Sequence, residues 1–252
     1  MKPEKKMGMA TRDAYGQALV EVGKANPNVV VLDADVSGST KSRTFAKEFP
    51  DRFFNFGIAE ANMVSAAAGF ASCGKIPFVS SFAAFLMCKS FEQLRMSVAN
   101  PHLNVKICGS HSGISLGEDG ASQMAVEDIA LALALPKFVV LVPADEMATR
   151  ALVKQAAKYM GPVYLRTSRP PSPLLYSEGE DFTIGHAKIL PRDLLTQDQC
   201  VDVVRPFIGI HRFQIGQMPH GLVLGQDAVG PQEASSLPGD VGRHVHVVAL
   251  GE

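Results

Sequence analysis

The chain has few cysteines, no excess of either charge and no long unbroken apolar run, and each shortage removes a class of protein. Its four cysteines, Cys73, Cys88, Cys108 and Cys200, are scattered without a C-x-x-C spacing. Neither a thiolate zinc site nor a disulfide framework follows, no metal ligands are assigned, and a reducing cytoplasm is the expected setting. With 24 basic and 25 acidic side chains the formal net charge is -1. No basic field is present to displace counterions from nucleic acid or to hold an anionic membrane. The basic N-terminus, MKPEKKMGMATRDAYG, is followed by no apolar h-region, and the longest apolar stretch, IALALALPKFVVLVPA, is broken by Pro136 and Lys137. No signal peptide and no transmembrane span are expected. Internal repeats are absent as well.

What is present is apolar material for one good core, 46% of residues, arranged in a βα alternation from Ala10 to about Arg169. Six short β-branched or aromatic runs are predicted as strands: VVVLD (29–33), RFFNF (52–56), IPFVSS (76–81), VKICGS (105–110), FVVLVP (138–143) and PVYLRT (162–167). Helical patterns such as EANMVSAAAGFAS, EDIALALAL and DEMATRALVKQAAKY separate them, and Asp145 is placed to cap the last of these. Strands that are apolar throughout belong to a parallel sheet covered on both faces. The expected fold is α/β, a mostly parallel six-stranded sheet flanked by helices. A tail is expected over 1–9, one domain over 10–176, and beyond it a linker that begins at PPSP. Residues from about 190 onward hold five prolines and no sustained period, although VDVV and HVHVVAL could be strands. Poor packing is expected there.

Several segments could carry chemistry. In NFGIAEANMVSAAAGFA one carboxylate, Glu60, stands between an apolar strand and a helix of small residues. It is either a first-turn acid favoured by the helix dipole or a buried functional carboxylate. In VSSFAAFLMCKSFEQLRM, Phe82 and Phe85 leave a strand and enter a helix, where three-residue spacing puts them on one face, as core or as a pocket wall. GSHSGISLGEDGASQMAVED is a glycine-rich loop carrying His111, Glu118, Asp119 and Gln123, which either are merely solvated or line a binding site. Arg169 in YLRTSRP follows the last strand, where an arginine often pairs with surface carboxylates and by itself says little. GFASCGKI (69–76) has P-loop spacing, but Ile76 replaces the required hydroxyl and the segment runs from helix into strand. That reading is set aside.

Taken together these segments resemble the transketolase family over roughly residues 8 to 190, the GEDG loop most specifically. The resemblance implies a domain that binds the pyrimidine half of thiamin diphosphate. It implies that Glu60 is catalytic: a carboxylic acid at the ring nitrogen favours the imino tautomer that removes the thiazolium proton, and burial would keep the acid's proton available. Phe82 and Phe85 then wall the pyrimidine pocket, with Phe85 stacking on the ring and Asp35 as a cofactor-proximal acid. Where many members have a tyrosine three residues beyond the second aromatic, this chain has Cys88. His111, Arg12, Ser39 and Arg169 correspond to the sugar-phosphate pocket, and Asp119 and Gln123 to contacts with substrate hydroxyls.

The family holds the cofactor diphosphate and its Mg2+ or Ca2+ through a G-D-G motif in a separate domain, and the sequence contains no G-D-G. The chain is therefore similar to the C-terminal subunit of a split transketolase, whose diphosphate-binding partner would be another polypeptide in a dimer of heterodimers. The implied reaction moves a two-carbon ketol unit from a ketose phosphate to an aldose phosphate. A deoxyxylulose-phosphate synthase, a 2-oxoacid dehydrogenase β-subunit and a catalytically silent binding module are the alternatives. Where the family continues into a third domain, this chain reads LLTQDQCVDVVRPFIGIHRFQIG and matches no part of it.

Overall fold

The computed structural model describes residues 6–114, 116–188 and the backbone of 245–247. The chain opens on β1 (Met7–Ala10) and α1 (Thr11–Ala25), then β2 (Val29–Asp33), two short helices α2 (Ser37–Thr40) and α3 (Arg43–Glu48), and β3 (Phe53–Asn55). Next come α4 (Glu60–Ser72), β4 (Ile76–Phe82), a π-helical turn over Phe85–Lys89, α5 (Phe91–Gln93) and a second π-helical turn, Leu94–Ala99. After β5 (Lys106–Ser110) the glycine-rich loop leads to α6 (Asp128–Ala134), β6 (Val139–Val142), α7 (Glu146–Lys158), β7 (Val163–Arg166) and β8 (Pro171–Pro173). A last strand, β9, spans Val245–Val247.

All six predicted strands form. They lie in one parallel sheet of order β3-β2-β4-β5-β7-β6, with β9 adding a seventh strand beside β6. Alternate residues of β2 explain its apolar run. Val29 and Val31 pack with Tyr15, Leu19 and Leu152 on one face, while Val30 and Leu32 pack with Met63, Val64 and Leu86 on the other. Both faces are covered by helices, so every position is buried, and each such side chain is worth roughly 1.5–3 kcal/mol of transfer free energy. Asp145 caps α7 as expected, accepting from the Ala148 N–H at 2.8 Å. Its second oxygen accepts from the N–H groups of Leu175 and Tyr176, which ties the chain after β8 back to the sheet.

Two expectations are changed. Residues 7–9, read as tail, run in β1, which pairs antiparallel with β8. Prolines can occupy this pair because it is two strands wide and has free edges. The residues after Phe82 do not continue into a regular α-helix but pass through the π-helical turn. GFASCGKI does run from the end of α4 into β4. The poor packing expected beyond about 190 and the VDVV segment lie outside the described residues, apart from the β9 backbone.

β2 is followed by β3 on one side and β4 on the other, so the strand order reverses at β2. In open parallel sheets a crevice forms outside the carboxyl ends of the strands at such a point. Asp33, Phe82 and Ser110 end β2, β4 and β5, and His111 follows directly.

Candidate functional site

The residues at these carboxyl ends are drawn together by buried polar bonds. Asp33, fully buried, accepts from the Val36 N–H at 2.7 Å and from the hydroxyls of Thr40 and Ser42 at 2.8 Å each. Burial raises its pKa, and these three bonds oppose the rise. By folding the 33–42 loop back on itself, Asp33 aims the Ser39 carbonyl at α1, where it accepts from Arg12 at 3.2 Å. Asp33 was not singled out from sequence, although an acid followed by Thr40 and Ser42 is the pattern of a self-bonded loop.

Arg12 also reaches His111, with guanidinium nitrogen and imidazole Nε2 3.0 Å apart. Arginine only donates, so Nε2 accepts, and the imidazole carries its proton on Nδ1, which donates to Ser110 Oγ at 3.0 Å. Burial, then the Arg12 and Arg169 charges, push the His111 pKa down to about 4, so the ring is neutral at pH 7. The His111 backbone is in the left-handed region, φ 57°, which turns the chain sharply at the end of β5. Gly109, just before, faces the Tyr164 hydroxyl and Ala83 so closely that an added Cβ would lie 2.5 and 2.9 Å from them.

The His111 ring stacks on Phe82, centroids 4.0 Å apart, and Phe82 stacks on Phe85 at 5.5 Å with planes 18° apart. The two phenylalanines thus form a flat aromatic wall, reached from a strand end through a turn. Glu60, 3% exposed, begins α4, and its Oε2 accepts from Lys89 Nζ at 3.0 Å. Lys89 also lies 4.7 Å from the centre of the Phe85 ring. Sequence reasoning missed this lysine.

Arg169 donates to Asp119 and to the Leu116 carbonyl, both at 2.7 Å, and thereby ties the glycine-rich loop to the chain leaving β7. Burial lowers the Arg12 pKa, with Asp13 opposing and Arg169 adding to the effect, so the two guanidiniums share one electrostatic neighbourhood. Arg12 Nε is buried with no hydrogen-bond partner among the described residues, as is Ser81 Oγ. That nitrogen lies 4.0 Å from an Asp13 carboxylate oxygen, and a guanidinium N–H without a hydrogen bond, beside a second arginine, is a donor set for an anion. Asp35 stands slightly apart: it is exposed, with φ 65°, and exchanges hydrogen bonds with Asn55, accepting from its side chain at 2.9 Å. Gln123 is partly exposed at the end of a 3-10 turn, Ala121–Gln123. The structure therefore joins Arg12, Ser39, His111, Phe82, Phe85 and Glu60 into one line of contacts through Lys89, and Arg169 and Asp119 into a second.

Behind the glycine-rich loop is a buried strut. Asp128 accepts from Arg166 Nε at 2.8 Å and from the Tyr164 hydroxyl at 2.6 Å, and Arg166 also donates to the Ala125 carbonyl. Ala125 in turn accepts from the Gly113 N–H at 2.8 Å, which closes the loop at its base. Among the described residues no three His, Cys, Asp or Glu side chains are grouped to hold a metal ion. No described helix is long and apolar enough to cross a membrane.

Comparison with known proteins places this arrangement. The family model for the transketolase pyrimidine-binding domain matches residues 7–173. A chain from Methanocaldococcus jannaschii named as a transketolase C-terminal section is 50% identical over 181 residues, covering 71% of this chain and 57% of that one. Human transketolase is 44% identical over 212 residues, covering 83% of this chain and 33% of the human protein. Among solved structures, a split-gene transketolase described as an inactive β4 tetramer matches at TM-score 0.65 and 50% identity, over 72% of this chain and 62% of that one. The transketolase of Campylobacter jejuni matches at TM-score 0.62 and 26% identity, over 70% of this chain and 28% of that one. The chain thus spans a little over half of the archaeal relative and a third of the human one.

Proposed function

The chain belongs to the family of transketolase pyrimidine-binding domains, and from that premise we propose that it is the pyrimidine-side subunit of a split transketolase. With a separate diphosphate-binding subunit it transfers a two-carbon ketol unit from a ketose phosphate to an aldose phosphate, in the cytoplasm. The observation that carries this reading is the buried Glu60 carboxylate, linked through Lys89 to the Phe82–Phe85 wall. A planar aromatic face and one buried carboxyl are what an aminopyrimidine needs: stacking for its ring and a proton held at its ring nitrogen.

Thiamin diphosphate, when bound, supplies the carbanion chemistry that breaks and forms the carbon-carbon bond. Glu60 would hydrogen-bond the ring nitrogen and so bias the aminopyrimidine towards its basic tautomer. Phe82 and Phe85 would wall that ring from water, and Asp35, just past the end of β2, would be the cofactor-proximal acid. Arg12, Ser39, His111 and Arg169 take the sugar phosphate. Neutral His111 serves there by orientation, while Arg12 Nε, which makes no hydrogen bond among the described residues and lies 4.0 Å from Asp13, is the donor that turns to the phosphate. Asp119 and Gln123 meet the sugar hydroxyls, Asp119 by exchanging its exposed pairing with Arg169 for substrate.

In this proposal the diphosphate and its Mg2+ or Ca2+ are held mainly by the partner, which carries the G-D-G motif. A dimer of heterodimers is the proposed assembly. The relative described as an inactive β4 tetramer supports the need for a second subunit. Ile58, 80% exposed two residues before Glu60, is an apolar contact available to it. We assign residues 7–176, with β1 included, to this domain and 177–252 to a linker and a remnant of a third.

The test is reconstitution. The purified chain is mixed with a G-D-G-containing subunit from the same genome, thiamin diphosphate and Mg2+, and ketol transfer from xylulose 5-phosphate to ribose 5-phosphate is followed. Activity that needs both polypeptides is the expected result. Binding without turnover would leave only a binding module.

A further inference from the structure

Glu60 has a partner that its own motif does not contain. Lys89 comes from 29 residues further along, and its ammonium lies 3.0 Å from Oε2, the one hydrogen bond this carboxylate makes among the described residues. The two members are unequally buried: the glutamate side chain is 4% exposed and the lysine side chain 52%. The lysine therefore reaches in from solvent to a carboxylate that cannot reach out.

The π-helical turn Phe85–Lys89 makes this reach possible. A π turn is one residue wider than an α turn, so it changes the direction in which its last side chain projects, and such turns gather at functional sites. Phe85 opens the turn and Lys89 closes it, and the ammonium lies over the Phe85 ring at 4.7 Å. Between them Cys88 donates to Glu127 Oε1 at 3.2 Å, pinning the turn to the end of the glycine-rich loop. Burial, together with Glu127, pushes the Cys88 thiol up to about 11, so it stays a neutral donor. One short turn therefore sets the aromatic wall and the ion-pair partner of the buried acid, and is itself anchored next to α6.

We propose that Lys89 is a positioning residue for Glu60: by holding Oε2 it fixes the plane of the carboxyl and presents Oε1 to the ring nitrogen of a bound aminopyrimidine. This rests on the reading of Glu60 given above. Without the ammonium the carboxyl is buried with no partner and is free to rotate away from its productive plane. Lys89 itself touches neither the ring nor the reacting carbon.

The experiment has two arms, each using Lys89→Met and Lys89→Arg in the full chain. In the chain alone, the carbon-13 resonance of the Glu60 side-chain carboxyl is expected to move in Lys89→Met and stay near wild type in Lys89→Arg, with unfolding temperatures unchanged. In the complex reconstituted with the diphosphate-binding subunit, Lys89→Met is expected to lose most of the near-ultraviolet circular-dichroism band of the imino tautomer. Its turnover should fall about 10- to 100-fold, while the apparent affinity for thiamin diphosphate changes little. Lys89→Arg should restore both. A Lys89→Met protein with wild-type resonance, band and turnover would overturn the proposal. Glu60→Gln is the control: if it keeps band and turnover, the role of Glu60 fails and this inference with it. If Glu60→Gln loses them and Lys89→Met does not, only the role of Lys89 fails.

Discussion

Two buried carboxylates in this domain, Asp128 and Glu60, are paired with cations in opposite ways. Asp128 is enclosed with Arg166, their side chains 0% and 3% exposed, and has the Tyr164 hydroxyl as a second donor. Glu60 is equally buried, but its lysine is half exposed and supplies its single hydrogen bond among the described residues. The first arrangement is closed: with its bonding filled from inside the protein, it can only hold structure. In the second, one oxygen of a buried acid is left for something else. The difference separates a closed structural pair from a buried carboxyl with an oxygen to spare, the one proposed to work on the cofactor.

Removing the strut sharpens that contrast most. Asp128→Ala leaves Arg166 buried without its countercharge and is expected to cost about 3–5 kcal/mol in urea unfolding, and to loosen the glycine-rich loop through Ala125. Loss of less than about 1 kcal/mol would mean the pair is not closed as described.

Another buried titratable group sits at the other rim of the sheet. Lys106 begins β5, and its Nζ donates to the carbonyls of Tyr159 and Gly161 at 2.7 Å each. Burial pushes its pKa down to about 7 from an ordinary 10.5. Between those values the unfolded chain binds a proton that the folded chain does not, so this contribution grows as pH rises and is lost as pH falls to 7. The slope is at most about 1.4 kcal/mol per pH unit. Melting temperatures of wild type and Lys106→Met should therefore diverge from pH 7 to pH 9, the variant falling progressively behind. Parallel curves would contradict the buried, neutral amine. The smallest effect on stability is expected at the working pair, where Lys89→Met should change unfolding by no more than about 1 kcal/mol because the ammonium is half in water.

The sheet was legible because its strands are covered on both faces and so read as unbroken apolar runs. The helices around it were legible from small residues at helical spacing in α4 and from an acidic cap before α7. β1 and β8 escaped because a proline-rich segment reads as linker, and only a narrow pair with free edges lets prolines run in a strand. At the site, Glu60, His111 and Arg12 stood out because each occupies the junction of an element with a loop. Lys89 did not, since nothing local links residue 89 to residue 60. The contact exists only because a π-helical turn redirects the chain after Phe85, and periodicity cannot show an extra residue in a turn. Asp128 and Arg166 were hidden for the same reason: their pairing joins a helix start to a strand three elements later.

The central claim is that Glu60 is the acid of a cofactor site which this chain shares with a partner. Glu60→Ala in the reconstituted complex tests it most directly, with turnover and unfolding measured on one preparation. The account predicts that ketol transfer falls by about 10²- to 10⁴-fold while the variant unfolds within about 1 kcal/mol of wild type. Turnover within a few-fold of wild type would contradict it.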